Sequence, residues 1–202
     1  MSIPMALVDY IPVALFLAAA IVLQRELYPH MSKGAFALFS SGTIMIFTAG
    51  FFKATWKLLY AANVCDFTAL NRCFFPMQTT GFLLAALGLV ALLSYPQGEK
   101  KLYSVPAPVV FAGTMLFVLI MVVSVAAMDI SLIILAARRK RRLAIPLLIL
   151  SFVLTLGMGY LSSKDFTRPA MNWIAEGVNT VGQGAFLAGA LLLRKKKSEA
   201  AA

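Results

Sequence analysis

The sequence predicts an all-α integral membrane protein, a single transmembrane domain over residues 1–202 built as a bundle of six helices with short loops. Hydrophobic residues make up 61% of the chain and charged residues 13%, against about 25% charged residues in a soluble domain. Six apolar stretches approach or exceed the roughly 20 residues that a helix needs to cross a bilayer. They lie at about 3–24, 35–60, 75–95, 107–136, 144–162 and 170–193. Their runs are continuous rather than alternating, which excludes β-barrel strands.

The first stretch, 3–24, is expected to remain in the mature protein as a helix. It lacks the basic segment that opens a signal peptide, and Asp9 stands where positive charge would be expected. We interpret Asp9 as a hydrated carboxylate at the start of the helix, where a negative charge is stabilised by the helix dipole. The alternative is that Asp9 belongs to a set of charges within the membrane.

The second stretch, 35–60, carries two lysines near its end. Lys53, Lys57 and Tyr60 share one helix face, with Trp56 beside them. Lysines near a helix end extend towards the lipid headgroups, and Trp and Tyr favour the interface. That interpretation suits Lys57. Lys53 lies one turn deeper, so a role inside the bundle competes with it.

The third and fourth stretches each carry a polar group that needs a partner. Gln78 lies in the first turns of 75–95 and is the stronger inward-facing candidate there. In 107–136, Asp129 lies seven residues before the end, as Lys53 lies seven before residue 60. Because both helix ends are predicted on the same side of the membrane, Lys53 and Asp129 should lie at similar depth. We therefore predict that they form a buried ion pair, which is either structural or a gate. The small residues Gly81 and Gly88 predict close helix packing.

The basic residues set the predicted orientation. Arg138–Arg142 follows the fourth stretch and Arg194–Lys197 follows the sixth, which by the positive-inside rule places both in the cytoplasm. With six alternating spans, both termini are then cytoplasmic, and so is the connection holding Cys65 and Cys73. The net charge of +10 therefore predicts contact with the bilayer and its anionic lipids at the cytoplasmic face, not with nucleic acid. We expect a prokaryotic plasma membrane.

The sixth stretch, 170–193, carries a polar stripe that a plain membrane anchor would not tolerate. Its four members follow one another at i, i+4, i+7 and i+11, within roughly 60° on a helix: Asn172, Glu176, Asn179 and Gln183. A carboxylate and three amides are costly in lipid, so this face should point into protein or water. We interpret the stripe as a ligand or ion path leading in from the outer side. The alternative is a set of hydrogen bonds between helices.

The sequence lacks the motifs of several kinds of metal, redox and catalytic site. His30 is the only histidine, and Cys65 and Cys73 are too far apart for a redox or zinc motif. The chain contains no phosphate loop, no metalloprotease or nucleophile motif and no dinucleotide fingerprint. We therefore expect no catalytic residue, no bound metal and no cofactor.

Three functions remain. The first is a small permease or channel-like transporter whose substrate, a small molecule or an ion, follows the stripe. The second is a membrane sensor, accessory subunit or assembly protein whose stripe is structural. The third is an integral enzyme acting on a lipid, with Lys53, Lys57 and Arg72 around an anionic headgroup.

Overall fold

A computed structural model describes residues 2–94, 114–161 and 169–194. These residues form helices joined by turns, which confirms the all-α prediction. The helices are α1 (Ile3–Val8), α2 (Tyr10–Leu27), α3 (Lys33–Ala61), α4 (Thr68–Arg72), α5 (Phe74–Ser94), α6 (Thr114–Arg138), α7 (Ala144–Leu161) and α8 (Pro169–Leu193), with a 3-10 turn at Tyr28–His30. Their bounds follow the predicted stretches within a few residues, except that 107–113 lies outside the described residues.

Five spans within the described residues are long and apolar enough to cross a membrane. They are Ile3–His30, Lys33–Ala61, Thr68–Ser94, Phe117–Arg138 and Ala144–Leu161. The sixth predicted span, α8, has 25 residues but does not reach the same apolarity, because the polar stripe lowers its mean hydropathy. Its polar face is partly covered by the other helices, since Glu176 is buried.

Helices α3 and α5 pack with their backbones almost in contact. A Cβ atom added to Gly42 would lie 2.4 Å from the backbone nitrogen of Ala85, and one added to Gly88 would lie 2.7 Å from the carbonyl oxygen of Ala35. Gly81 fits as closely against Ile46. The predicted packing role of Gly81 and Gly88 is thus confirmed, and α3 and α5 run antiparallel along this seam.

The contacts define two ends of the bundle. At one end Lys57, near the end of α3, meets Asp9 and Glu176, which lie at the starts of α2 and α8. We call this the cluster end. At the other, Arg139 binds Glu26 with 2.7 Å between Nη1 and Oε1, and donates to the carbonyl oxygen of Leu193 at 3.4 Å. We call this the arginine end.

The predicted alternation of the six spans is wrong. Arg138 at the end of α6 donates to the carbonyl oxygen of Leu93 at the end of α5, at 3.2 Å, so α5 and α6 run parallel. The connection between them, residues 95–113, lies outside the described residues. The first described residues and the end of α8 consequently lie at opposite ends of the bundle, whereas the sequence predicted that both termini share one side.

The interior is packed unevenly along the bundle axis. The largest completely buried side chains all lie towards the arginine end: Leu23, Leu27, Phe39, Leu89, Leu132, Leu148 and Leu193. These side chains form a closely packed layer. The residues that line the cavity described below lie on its other side, towards the cluster end.

Candidate ligand site

A cavity of about 270 Å³ lies between α2, α3, α5, α6, α7 and α8. Its walls are mostly aromatic and aliphatic, and include Phe16, Phe47, Phe82, Met121 and Val125. Its polar lining groups are Thr155 and seven residues that the sequence singled out: Asp9, Lys53, Lys57, Gln78, Glu176, Asn179 and Gln183. An apolar space with a few convergent polar groups is the usual form of a small-molecule site.

Lys57 joins three helices through its ammonium group. Its Nζ atom forms an ion pair with Oδ2 of Asp9 and lies 3.3 Å from Oε1 of Glu176. The side chains of Lys57, Asp9 and Glu176 are 16%, 8% and 9% exposed. Two carboxylates brought together in so little solvent repel one another, so the ammonium between them is what permits the arrangement. We call these three residues the charge cluster.

The local backbone leaves Asp9 available for this pair. Asp9 lies between α1 and α2, and its side chain makes no hydrogen bond to the backbone at the start of α2. The next residue fixes the position, because the hydroxyl of Tyr10 is 2.9 Å from the hydroxyl of Thr55 on α3. Asp9 is therefore a buried partner of Lys57, and not the shallow hydrated carboxylate that its position suggested.

Lys53 reaches the cavity one helical turn before Lys57. Its Nζ atom lies 4.0 Å from the centre of the Phe74 ring, a cation–π contact. Within the described part of the chain it forms no ion pair with a carboxylate. The cavity therefore contains a cation whose nearest described partner is an aromatic face.

Two acceptor atoms of the stripe are left without a partner. Oε2 of Glu176 and Oε1 of Gln183 are buried and receive no hydrogen bond from the described residues. Buried acceptors are nearly always satisfied in folded proteins. Asn179 lines the cavity between them, while Asn172 does not line it. Three of the four stripe residues thus face one space, and two of them have an acceptor atom without a hydrogen-bond partner among the described residues.

The predicted pair of Lys53 and Asp129 is wrong. Asp129 is buried on α6, 2% exposed, but it does not line the cavity and its Oδ1 atom has no partner among the described residues. Equal counting from the helix ends failed because α3 and α6 end at opposite ends of the bundle. The sequence shows opposite charges on different helices, but which of them meet depends on the directions of the helices.

A second ion pair, between Glu26 and Arg139, was not predicted from the sequence. Glu26 and Arg139 both lie beside helix ends, where a solvated side chain is the ordinary expectation, yet their paired side chains are only 14% and 16% exposed. No group of three potential metal ligands occurs among the residues that the structure describes. Cys65 and Cys73 are free and exposed beside α4, at the cluster end.

Comparisons with protein-family models, with curated proteins and with solved structures give no match. What the protein does must therefore follow from its own residues and from the cavity that they form.

Proposed function

We propose that the protein is a membrane permease for a small polar solute, which binds in the cavity at the cluster end. The observation that carries the proposal is the meeting of both charge signs and three amides in one apolar space. At about 270 Å³ the cavity lies just below the usual range of small-molecule sites, about 300–1,000 Å³, and so suits a small solute.

The distribution of basic residues supports an orientation for this permease. Arg25, Lys33, Arg138–Arg142 and Arg194 all lie at the arginine end, by their positions beside the ends of α2, α6 and α8 and the start of α3. The positive-inside rule places that end in the cytoplasm. The cavity then lies in the outer half of the bilayer, and the solute enters from outside.

The other side of the cavity is closed by the buried leucine layer and by Arg139. This arginine ties α6 to α2 through Glu26 and to α8 through the carbonyl oxygen of Leu193. Passage into the cytoplasm requires these contacts to separate. We propose the Arg139–Glu26 pair as the inner gate, with the described conformation closed on that side.

The two unpartnered acceptor atoms favour a ligand site over a set of hydrogen bonds that only holds the helices together. In the interaction-protein hypothesis, the stripe would hold helices together through satisfied hydrogen bonds. Oε2 of Glu176 and Oε1 of Gln183 are instead buried without a hydrogen-bond partner among the described residues. Burial without a partner costs about 1–3 kcal/mol for each group, a cost that binding a solute would remove.

The native cysteines test the orientation directly. In intact cells, an impermeant thiol reagent should label Cys65 and Cys73 from outside, while a reporter fused after Ala202 should report the cytoplasm. The opposite positions of the α8 end and the α3–α5 connection predict this difference. A double replacement of both cysteines by serine is the control. Cysteines and reporter on the same side of the membrane would contradict the proposed orientation.

Uptake into proteoliposomes tests the permease itself. Vesicles holding the purified protein are exposed to a mixture of amino acids, organic acids and amines, and their contents are compared with those of empty vesicles. We expect selective accumulation, and we expect Glu176→Gln to reduce it at least about tenfold, because the variant keeps the shape but removes a buried charge. Lys33→Met, at an exposed position far from the cavity, should transport normally. No accumulation of any solute would overturn the permease.

A further inference from the structure

The charges that line the cavity balance one another. Lys53 and Lys57 contribute two positive charges, and Asp9 and Glu176 contribute two negative charges, when all four are ionised. A solute with a net charge would leave an uncompensated charge in a space of low dielectric constant, which is costly. A neutral solute keeps the balance, and this inference about its nature rests on the proposed function.

These four charged groups nevertheless differ in the ion-pair and hydrogen-bond partners that they have. Lys53 has no carboxylate partner within ion-pair distance in the described residues and rests on the Phe74 ring. Glu176, although bound to Lys57 through Oε1, leaves Oε2 buried without a donor, and Gln183 leaves Oε1 in the same state. Although the charges balance overall, Lys53 thus lacks a carboxylate within ion-pair distance, and two acceptor atoms lack a donor, among the described residues. A solute that carries a carboxylate and an ammonium group supplies both and remains neutral.

The remaining walls describe the rest of the solute. Phe16, Phe47 and Phe82 face the cavity, and Phe16 is held in place by a stacked contact with Phe186, 6.0 Å between ring centres. Aromatic walls gain most from burying an apolar group. The charged and amide lining groups lie on α3, α5 and α8 and at Asp9, just before α2. The apolar group of the solute therefore has the α6 side of the cavity, with Met121 and Val125, to fill.

We propose that the cavity binds a free α-amino acid with an apolar side chain. Its carboxylate pairs with Lys53, which then exchanges the Phe74 ring for a stronger partner. Its ammonium donates to Oε2 of Glu176 and Oε1 of Gln183. Because the two charges of an α-amino acid lie on neighbouring carbon atoms, this headgroup is short enough to fit between Lys53 and the charge cluster, one helical turn further along α3.

Two matched series of small molecules test the proposal on the full chain in nanodiscs of neutral lipid. The first is L-phenylalanine with 3-phenylpropionate, which lacks the amine, and 2-phenylethylamine, which lacks the carboxylate. The second is L-leucine with 4-methylpentanoate and 3-methylbutylamine. Calorimetry should show binding of at least one amino acid, with each of its analogues at least about tenfold weaker, because each loses a buried charged hydrogen bond.

Two variants assign the contacts. Lys53→Met should remove the preference for the amino acid over its amine analogue and keep the preference over its acid analogue. Glu176→Gln should do the reverse. Lys33→Met should bind all compounds as the native chain does. The series on the native chain remains decisive if either variant fails to fold.

The outcomes separate this inference from the permease. An acid analogue that binds as tightly as its amino acid would overturn the zwitterion and make the cavity an anion site. An amine analogue that binds as tightly would overturn it in favour of a cation site. If neither amino acid binds while another solute accumulates in the uptake assay, the inference fails and the permease stands. If neither binds and no solute accumulates, both fail.

Discussion

Replacing Lys57 by methionine is expected to lower the free energy of unfolding by about 3–5 kcal/mol, the usual cost of removing one partner of a buried ion pair. The loss is large because Asp9 and Glu176 would then face each other without the ammonium that both contact. Unfolding in a graded series of denaturing detergent, followed by circular dichroism, measures the effect.

The matched control removes one carboxylate as well. A double variant with Lys57→Met and Glu176→Gln leaves one cation, Lys53, and one anion, Asp9, in the cavity, so it should recover most of the stability while failing to bind a solute. Lys33→Met, which removes an exposed lysine at the other end of α3, should unfold as the native chain does. Equal losses in the single and double variants would show that charge pairing is not what Lys57 provides.

Replacing Gly42 by alanine is expected to destabilise the bundle by about 1–3 kcal/mol or more, the cost of overpacking a tight interior. The new Cβ atom would lie 2.4 Å from the backbone nitrogen of Ala85 and 2.5 Å from the carbonyl oxygen of Gly81. Both obstacles are backbone atoms, which cannot rotate away as a side chain does. Helices α3 and α5 must therefore separate, and the same detergent unfolding series measures the change.

Gly184→Ala provides the control, because a Cβ atom there meets no atom within 4 Å. This variant should be as stable as the native chain or slightly more so, since alanine is the better helix former. Equal destabilisation by the two alanines would contradict the close α3–α5 seam.

The helices could be predicted closely because each is a continuous apolar stretch whose bounds can be read from the sequence. The predicted stretch 144–162 corresponds to Ala144–Leu161, and 170–193 corresponds to Pro169–Leu193. The direction of each helix could not be predicted in the same way. Counting spans assumes that each helix reverses the one before, and that assumption fails where residues 95–113 join two parallel helices.

The candidate site, too, could be predicted within one helix but not between helices. The spacing of Glu176, Asn179 and Gln183 places them on one face whatever the tertiary structure, so their common direction could be read from the sequence. The partner of Glu176 depends on which helix ends meet, and this depends on the directions of α3 and α8. Lys57 looked like an interfacial lysine for that reason, and Lys53 was assigned to Asp129.

The most direct test of the central proposal, that the stripe faces a solute-accessible cavity, is the reactivity of cysteines placed along α8. In a chain with Cys65 and Cys73 replaced by serine, Asn179→Cys and Gln183→Cys line the cavity, whereas Val181→Cys lies on the outer surface of the bundle, where Val181 is 56% exposed. A small water-soluble thiol reagent added outside sealed vesicles should modify the first two, more slowly at the deeper 183, and should leave 181 unmodified in lipid, since only the hydrated thiolate reacts. Inert cysteines at both 179 and 183, or reactivity no greater than at 181, would contradict the proposal.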